Sequence, residues 1–251
     1  KELAGKYGAG MLMEYMEEII NYSERRMRRA LAGLPQGTFT FEDYLEGDGL
    51  KRDLIKIKAT VKTGGDSILV DFTGTAPQAG GPVNSTRGVT LACVYFAVKA
   101  VTDPELPSSG GMARPIEVVT PEGTLVNPRY PAPVVHANIH TAQRITDVIL
   151  GALAQAVPGR VTAAGTGSMS NFTIGGIHPE TGVYYSYVET YGGGQGAKSD
   201  QDGMDGVHVN MTNTRNTPVE VIEISYPLLV ERYGLVPGSG GPGRCRGGLG
   251  L

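Results

Sequence analysis

Residues 189–206, Glu-Thr-Tyr-Gly-Gly-Gly-Gln-Gly-Ala-Lys-Ser-Asp-Gln-Asp-Gly-Met-Asp-Gly, hold a triple glycine, Gly192–Gly194, between a carboxylate and three aspartates. Adjacent glycines weaken any helix or strand and add no packing. They are tolerated where a backbone turns sharply or comes very close to something. This segment is therefore loop, and a loop shaped by close approach. The same holds across the chain, where 37 glycines and 16 prolines lie between clear hydrophobic segments. That distribution points to long structured loops and tight turns, and away from a helix bundle or a low-complexity tail.

Between the loops, periodicity sets the elements. Leu12, Met16, Ile19, Ser23, Met27 and Leu31 repeat at three and four, which predicts a helix over residues 12–31, stopped by Gly33 and Pro35. Its Glu-then-Arg polar face suits the helix dipole and reads as solvated. Residues 54–61 alternate apolar and polar, Gly64-Gly65-Asp66 turns, and Ser67–Phe72 returns, which predicts a hairpin. Residues 38–43 and 116–120 are further strands. Ser85 or Thr86 can cap an apolar helix over 88–101, and Ile145, Val148, Ile149, Ala152 and Leu153 stripe a third over 141–156. Residues 161–164, 169–174, 183–190 and 219–225 read as strands. Helices and strands come in runs without strict alternation, so the expected fold is α+β: mixed, mainly antiparallel sheets, a few packed helices, long Gly/Pro-rich loops. A sub-boundary falls in the Pro/Gly-rich stretch 103–115.

Bulk properties exclude several classes. The net charge of -3, with no basic cluster interleaved with aromatics, gives no case for nucleic acid. No apolar run approaches the ~20 residues of a membrane span, and no signal peptide is visible. Two cysteines, Cys93 in an apolar run and Cys245 between arginines, make no disulfide framework and fit a reducing, cytoplasmic setting. The chain opens at Lys1 inside a helical pattern and closes in a Gly-rich segment, which reads as a piece of a longer polypeptide.

Chemistry has few carriers. His136 and His140 have the i,i+4 spacing of a zincin helix, but Ala137 stands where the base glutamate belongs and Pro131 and Pro133 lie just upstream, so no metal is assigned to them. Asp200, Asp202 and Asp205 fail as a calcium loop: Gly203 comes too early and position 211 is Met. Gly238–Gly248 lacks the Gly-Lys-Ser/Thr of a phosphate loop. Glu189, Asp202 and His208 remain as candidate bases in the glycine-rich region. Gly192, Gly193 and Gly194 are candidates for a backbone anion nest against substrate, and Asn84 for a substrate contact. The competing reading of Glu189 is a strand residue paired to an arginine; that of Asn84 is a loop-holding side chain.

Several segments together, in order, resemble one family. They are Asp71-Phe-Thr-Gly-Thr75 with Asn84, Arg114-Pro-Ile116, and Pro121-Glu-Gly-Thr124 with Asn127-Pro128. Glu189 with Gly192–Gly194, Asn213, and Asn216-Thr-Pro-Val-Glu220 continue the pattern. Glu231-Arg-Tyr233, Ser239-Gly-Gly241 and Arg246-Gly-Gly248 complete it. The pattern is similar to the hydantoinase B / 5-oxoprolinase / acetone carboxylase alpha-subunit family, in its central to C-terminal part. The resemblance implies part of an ATP-dependent cyclic-amide hydrolase of the N-methylhydantoinase or 5-oxoprolinase type. The ATP would be held by a hydantoinase A-like partner subunit in a hetero-oligomer. It implies a divalent metal too, held by an N-terminal region whose Asn-Asp-Pro-Tyr type segment does not occur here, so this segment alone is expected to bind neither cofactor and can be inactive. Two alternatives stay open: a ketone carboxylase subunit, or a scaffold that docks the ATP-binding partner without doing chemistry.

Overall fold

The computed structural model describes residues 1–251. Two helices open the chain, α1 (Glu2–Tyr7) and α2 (Ala9–Ala32), broken at Gly8 by a backbone φ of 81°. The apolar stripe predicted over 12–31 becomes α2, but only its C-terminal half, with Ser23, Met27 and Leu31, is buried.

Strands β1 (Gly37–Leu45), β2 (Ile55–Gly64) and β3 (Ser67–Asp71) form an antiparallel meander. The predicted hairpin is β2–β3: Gly64 pairs with Ser67 across Gly65, whose φ of 61° an L side chain resists. The next strand in the sheet, β4 (Ile116–Val119), runs parallel to β3. Parallel neighbours need a crossover. Here it contains α3 (Arg87–Thr102) and the short α4 (Gly110–Ala113), with residues 103–115 folded into its return limb. Thr86 occupies the cap position of α3 without a capping side-chain bond; Ser85 Oγ lies instead 3.2 Å from Thr90 Oγ1.

A single turn of π-helix, Ala137–Thr141, leads into α5 (Ala142–Ala154). The core forms where α2, α3 and α5 cover one face of this sheet. Ile57, Ala59 and Val61 of β2 meet Ile68 and Val70 of β3, Val94 and Val98 of α3, and Ile145, Ile149 and Leu153 of α5. At about 25 cal/mol per Å² of apolar surface buried, this cluster is the dominant stabilising element. Cys93 is part of it, its thiol pushed up to about 12 by burial, and is chemically inert.

Beyond α5 and a 3₁₀ turn (Pro158–Arg160) the chain is mostly loop. It carries a separate two-stranded antiparallel sheet, β5 (Asn171–Ile177) with β6 (Tyr184–Thr190), and one short helix, α6 (Val219–Ser225). Two sequence expectations need correction. Residues 161–164 are extended but lie in no sheet; Ala163 N–H donates to Ala197 at 2.8 Å. Residues 219–225 are a helix, not a strand: Pro218 sets its first turn and the three-residue step from Val219 to the buried Ile222 gives it an inward side. No helix is long and apolar enough to cross a membrane.

Candidate functional site

The site grows from an inverted strand. In β6, Tyr185, Tyr187 and Glu189 share one side by the two-residue repeat, and Tyr187 and Glu189 are buried. Val188, between them, is exposed. A strand that turns valine to solvent and glutamate inward bears a desolvation cost, and a buried carboxylate persists only when it is hydrogen-bonded or paired. Glu189 is 4% exposed. Its Oε2 accepts from Tyr187 Oη, and its Oε1 accepts from the Thr217 backbone N–H at 3.0 Å. Tyr226 packs on the Tyr187 ring at 4.8 Å between centroids and helps fix it.

Protonation follows from that geometry. Burial pushes the Glu189 carboxyl up, but the bonds from Tyr187 and Thr217, together with the charge of His208, outweigh it and hold it below its usual range. The Tyr187 phenol is pushed up to about 12, by burial first and then by Glu189, so it stays a donor. His208 lies within the field of Glu189. Burial holds its imidazole below the usual range although Glu189 pulls the other way, so it is neutral near pH 7. His208 Nε2 is buried and has no hydrogen-bond partner. The two groups therefore influence each other through charge, without a direct hydrogen bond between them.

His208 borders a cavity of about 590 Å³. Phe96, Leu150 and Val209 give it apolar walls, and Lys198 and Asn213 supply polar groups. Mixed lining on this scale suits a small organic molecule.

The other sequence candidates lie elsewhere. Asp202 faces Arg246, accepting from its backbone N–H at 2.7 Å with the guanidinium Nε at 3.9 Å. Asp205 accepts from Arg246 Nη1 at 2.8 Å and from Leu249 N–H at 2.7 Å. The acidic loop is thus clamped to the C-terminal segment. Asn84 is wholly buried: its Oδ1 accepts from Ala79 N–H, and its Nδ2 donates to the carbonyls of Ala79, Gly81 and Pro133. It pins a loop.

Gly192–Gly194 form part of a seam among three backbone segments. Gly194 N–H donates to Val207 at 3.2 Å, Leu251 N–H donates to Gly192 at 3.0 Å, and Gly248 N–H donates to Gln195 at 2.8 Å. A Cβ on Gly194, whose φ is 87°, would run into the Gly248 carbonyl. What comes close to Gly192 and Gly194 is other backbone, and Gly193 meets the Thr166 side chain. The Gly238–Gly248 loop is closed the same way, Gly247 N–H donating to Gly241 at 2.9 Å.

Nothing here fits a metal. No group of three or more His, Cys, Asp or Glu side chains could hold one. His136 and His140 sit edge to face at 5.8 Å, with His140 Nδ1 2.8 Å from Ser168 Oγ and no third ligand. Tyr187 and Thr217 are the residues that sequence reasoning missed. The parity of Tyr187 with Glu189, and the inversion at Val188, were the available signal.

Comparisons with known proteins agree with this architecture. The chain is 38% identical over 261 residues to the B-type subunit of a "Putative D-/L-hydantoinase" of Pseudomonas sp. (strain NS671), covering 99% of this chain and 43% of that protein. It is 34% identical to 5-oxoprolinase 1 of Arabidopsis thaliana, covering 100% of this chain and 20% of that one. The crystal structure of the ATP-dependent caprolactamase from Pseudomonas jessenii superposes with a TM-score of 0.87 at 28% identity, covering 99% of this chain and 44% of its own. A nucleotide-free acetone carboxylase shares the fold at a TM-score of 0.87 and 18% identity, covering 99% of this chain and 35% of its own. The chain therefore spans less than half the length of these relatives. The Hydantoinase B/oxoprolinase profile matches residues 1–251 without a break, and the chain belongs to that family.

Proposed function

We propose that this chain is the hydantoinase B-like part of an ATP-dependent cyclic-amide hydrolase, and that Glu189 and His208 supply its general base. Two observations support the site: Glu189 is buried, hydrogen-bonded and close enough for its charge to be felt at His208, and His208 borders a cavity of ligand size. The reaction class is supported by the relatives, since hydantoin, 5-oxoproline and caprolactam are all cyclic amides.

ATP, held by a partner subunit, would transfer its terminal phosphoryl group to the substrate oxygen, with ADP as the leaving group. His208 takes a proton as water adds to the carbonyl carbon. The ring C–N bond then breaks, the imidazolium returns the proton to the leaving nitrogen, and a second water hydrolyses the resulting acyl phosphate to carboxylate and inorganic phosphate. Glu189 stabilises the imidazolium between the two steps, and Tyr187 keeps Glu189 ionised and oriented.

The test uses the complete subunit with its ATP-binding partner. ATP-dependent opening of hydantoin, 5-oxoproline and caprolactam is measured for the wild type, His208→Gln and Glu189→Gln. Losing the base is expected to lower kcat roughly 10²–10⁴-fold. Full turnover by both variants would sink the site. Bicarbonate-dependent consumption of acetone with no ring opening would sink the hydrolase reading.

A further inference from the structure

A second concavity, of about 660 Å³, lies on the other side of Arg160 from the His208 cavity. It is bounded by Tyr22, Arg25, Arg26 and Arg29 of α2, by Asp103 at the end of α3, and by Arg160 of the 3₁₀ turn. Positions 22, 25, 26 and 29 share one helix face by their three- and four-residue spacing. A solvated helix face explains those four residues. It does not explain why Arg160, from a different element, converges on them.

The charges do not cancel. Four arginines against one aspartate leave the lining at a net +3, in a chain whose net charge is -3. Asp103 is already taken: Arg26 chelates it through Nε at 2.5 Å and Nη2 at 2.9 Å. Arg25 has only an exposed surface partner, Glu18, and such pairs add little and exchange readily. Arg29 and Arg160 form no ion pair at all. Two planar guanidiniums without counter-charge, Arg29 and Arg160, beside a third that is only loosely paired, are suited to an oxyanion that accepts several N–H donors at once.

We propose that this cleft binds phosphate, either inorganic or as the phosphate group of a small organic ester, with Arg29 and Arg160 as its principal ligands and Arg25 recruited from Glu18. Arg26 is a positioning residue that holds Asp103 out of the site. The inference does not rest on the hydrolase reading.

The experiment is calorimetric titration of the protein at constant ionic strength with inorganic phosphate, diphosphate and adenosine monophosphate, with sodium chloride as the control. Saturable one-to-one binding is expected, weakened at least about tenfold by Arg29→Ala or Arg160→Ala and unchanged by Arg244→Ala on the exposed C-terminal loop. Neither the Arg29 nor the Arg160 side chain makes an internal bond, so circular dichroism and melting should be unaltered in both. Tighter binding of adenosine monophosphate than of inorganic phosphate identifies an organic ester as the ligand; the reverse order identifies the free ion. Absence of saturation, or binding that both substitutions leave intact, overturns the proposal. So does a poly-glutamate peptide that outcompetes diphosphate, which would make the cleft a docking site for an acidic protein segment.

Discussion

Asp147→Asn is expected to stabilise the fold at neutral pH and to lose that advantage in acid. Asp147 lies on α5, 6% exposed. One carboxylate oxygen accepts from Asn210 Nδ2 at 2.7 Å, while the other is buried without a partner. Arg144, one turn earlier, compensates only in part, because its Nη1 is held by Asp43 at 2.5 Å. Burial therefore raises the Asp147 carboxyl to about 6, against the pull of Asn210 and Arg144. The folded state binds the proton more tightly than the unfolded chain, whose carboxyl titrates near 3.8. Stability from this group is thus full below about pH 4, falls as pH rises through about 6, and stays low above it. At roughly 1.36 kcal/mol per pKa unit the loss amounts to about 3 kcal/mol. Asparagine removes the charge and can still accept from Asn210. Its amide nitrogen inherits a position without an acceptor, at a cost of about 1–2 kcal/mol. The protonated wild-type carboxyl leaves an O–H at that same position, so the net expectation is a gain of up to about 3 kcal/mol near pH 8 that vanishes near pH 4. Urea denaturation of both proteins across that range measures it, and the difference between the curves isolates Asp147 from other titrating groups. Parallel curves, or a variant that is less stable near pH 8, would refute the reasoning.

Asn84→Ala removes the acceptor for one buried N–H and the donor for three carbonyls, and is expected to cost about 3–5 kcal/mol of unfolding free energy in denaturant melts. An unchanged melt would return Asn84 to the list of substrate contacts. Gly194→Ala places a Cβ against the Gly248 carbonyl at a positive φ, whereas Gly182→Ala has a similar φ of 68° and nothing within 4 Å. The first should cost well over the ~1–2 kcal/mol of backbone strain that the second shows, and limited proteolysis should cut its C-terminal loops sooner. Glu189, held below its usual range, contributes stability above the ordinary carboxylate pKa that is lost as pH falls through its folded value. Tyr187→Phe deletes one of the bonds holding it there, so acid unfolding followed by circular dichroism should begin at higher pH; an unmoved transition would show that Tyr187 does not hold Glu189.

The sheet and helices around the core were legible because their periodicity is long and unmixed. Eight alternating residues at 54–61 followed by Gly64-Gly65-Asp66 admit little but a hairpin, and the β2–β3 register follows from it. Where the segment is short the same evidence divides. Val219-Glu-Val-Ile-Glu-Ile alternates like a strand and equally sets Val219 and Ile222 one helical turn apart; the proline before it tips the balance to helix. The parallel pairing of β4 with β3 could not be read at all, since orientation depends on how α3 packs back across the sheet and no pattern within Ile116–Val119 encodes it.

The site was half legible, for a different reason. Glu189, Asp202 and His208 were grouped because they lie close along the chain, but burial separates them. Asp202 remains in the solvent-facing clamp with Arg246, while Glu189 is drawn in by its strand parity, where its charge reaches His208. Charge on a glycine-rich loop is inexpensive and common, and so carries little information. Charge on the inward side of a strand is costly and needs a dedicated donor, and Tyr187, two residues earlier, is that donor. The triple glycine follows the same logic. It marks a place where something comes within backbone distance, and the close partners are Thr166 and the segments at 203–207 and 247–251. It closes the loop layer that carries His208, and Glu189 lies on the strand that leads into that layer.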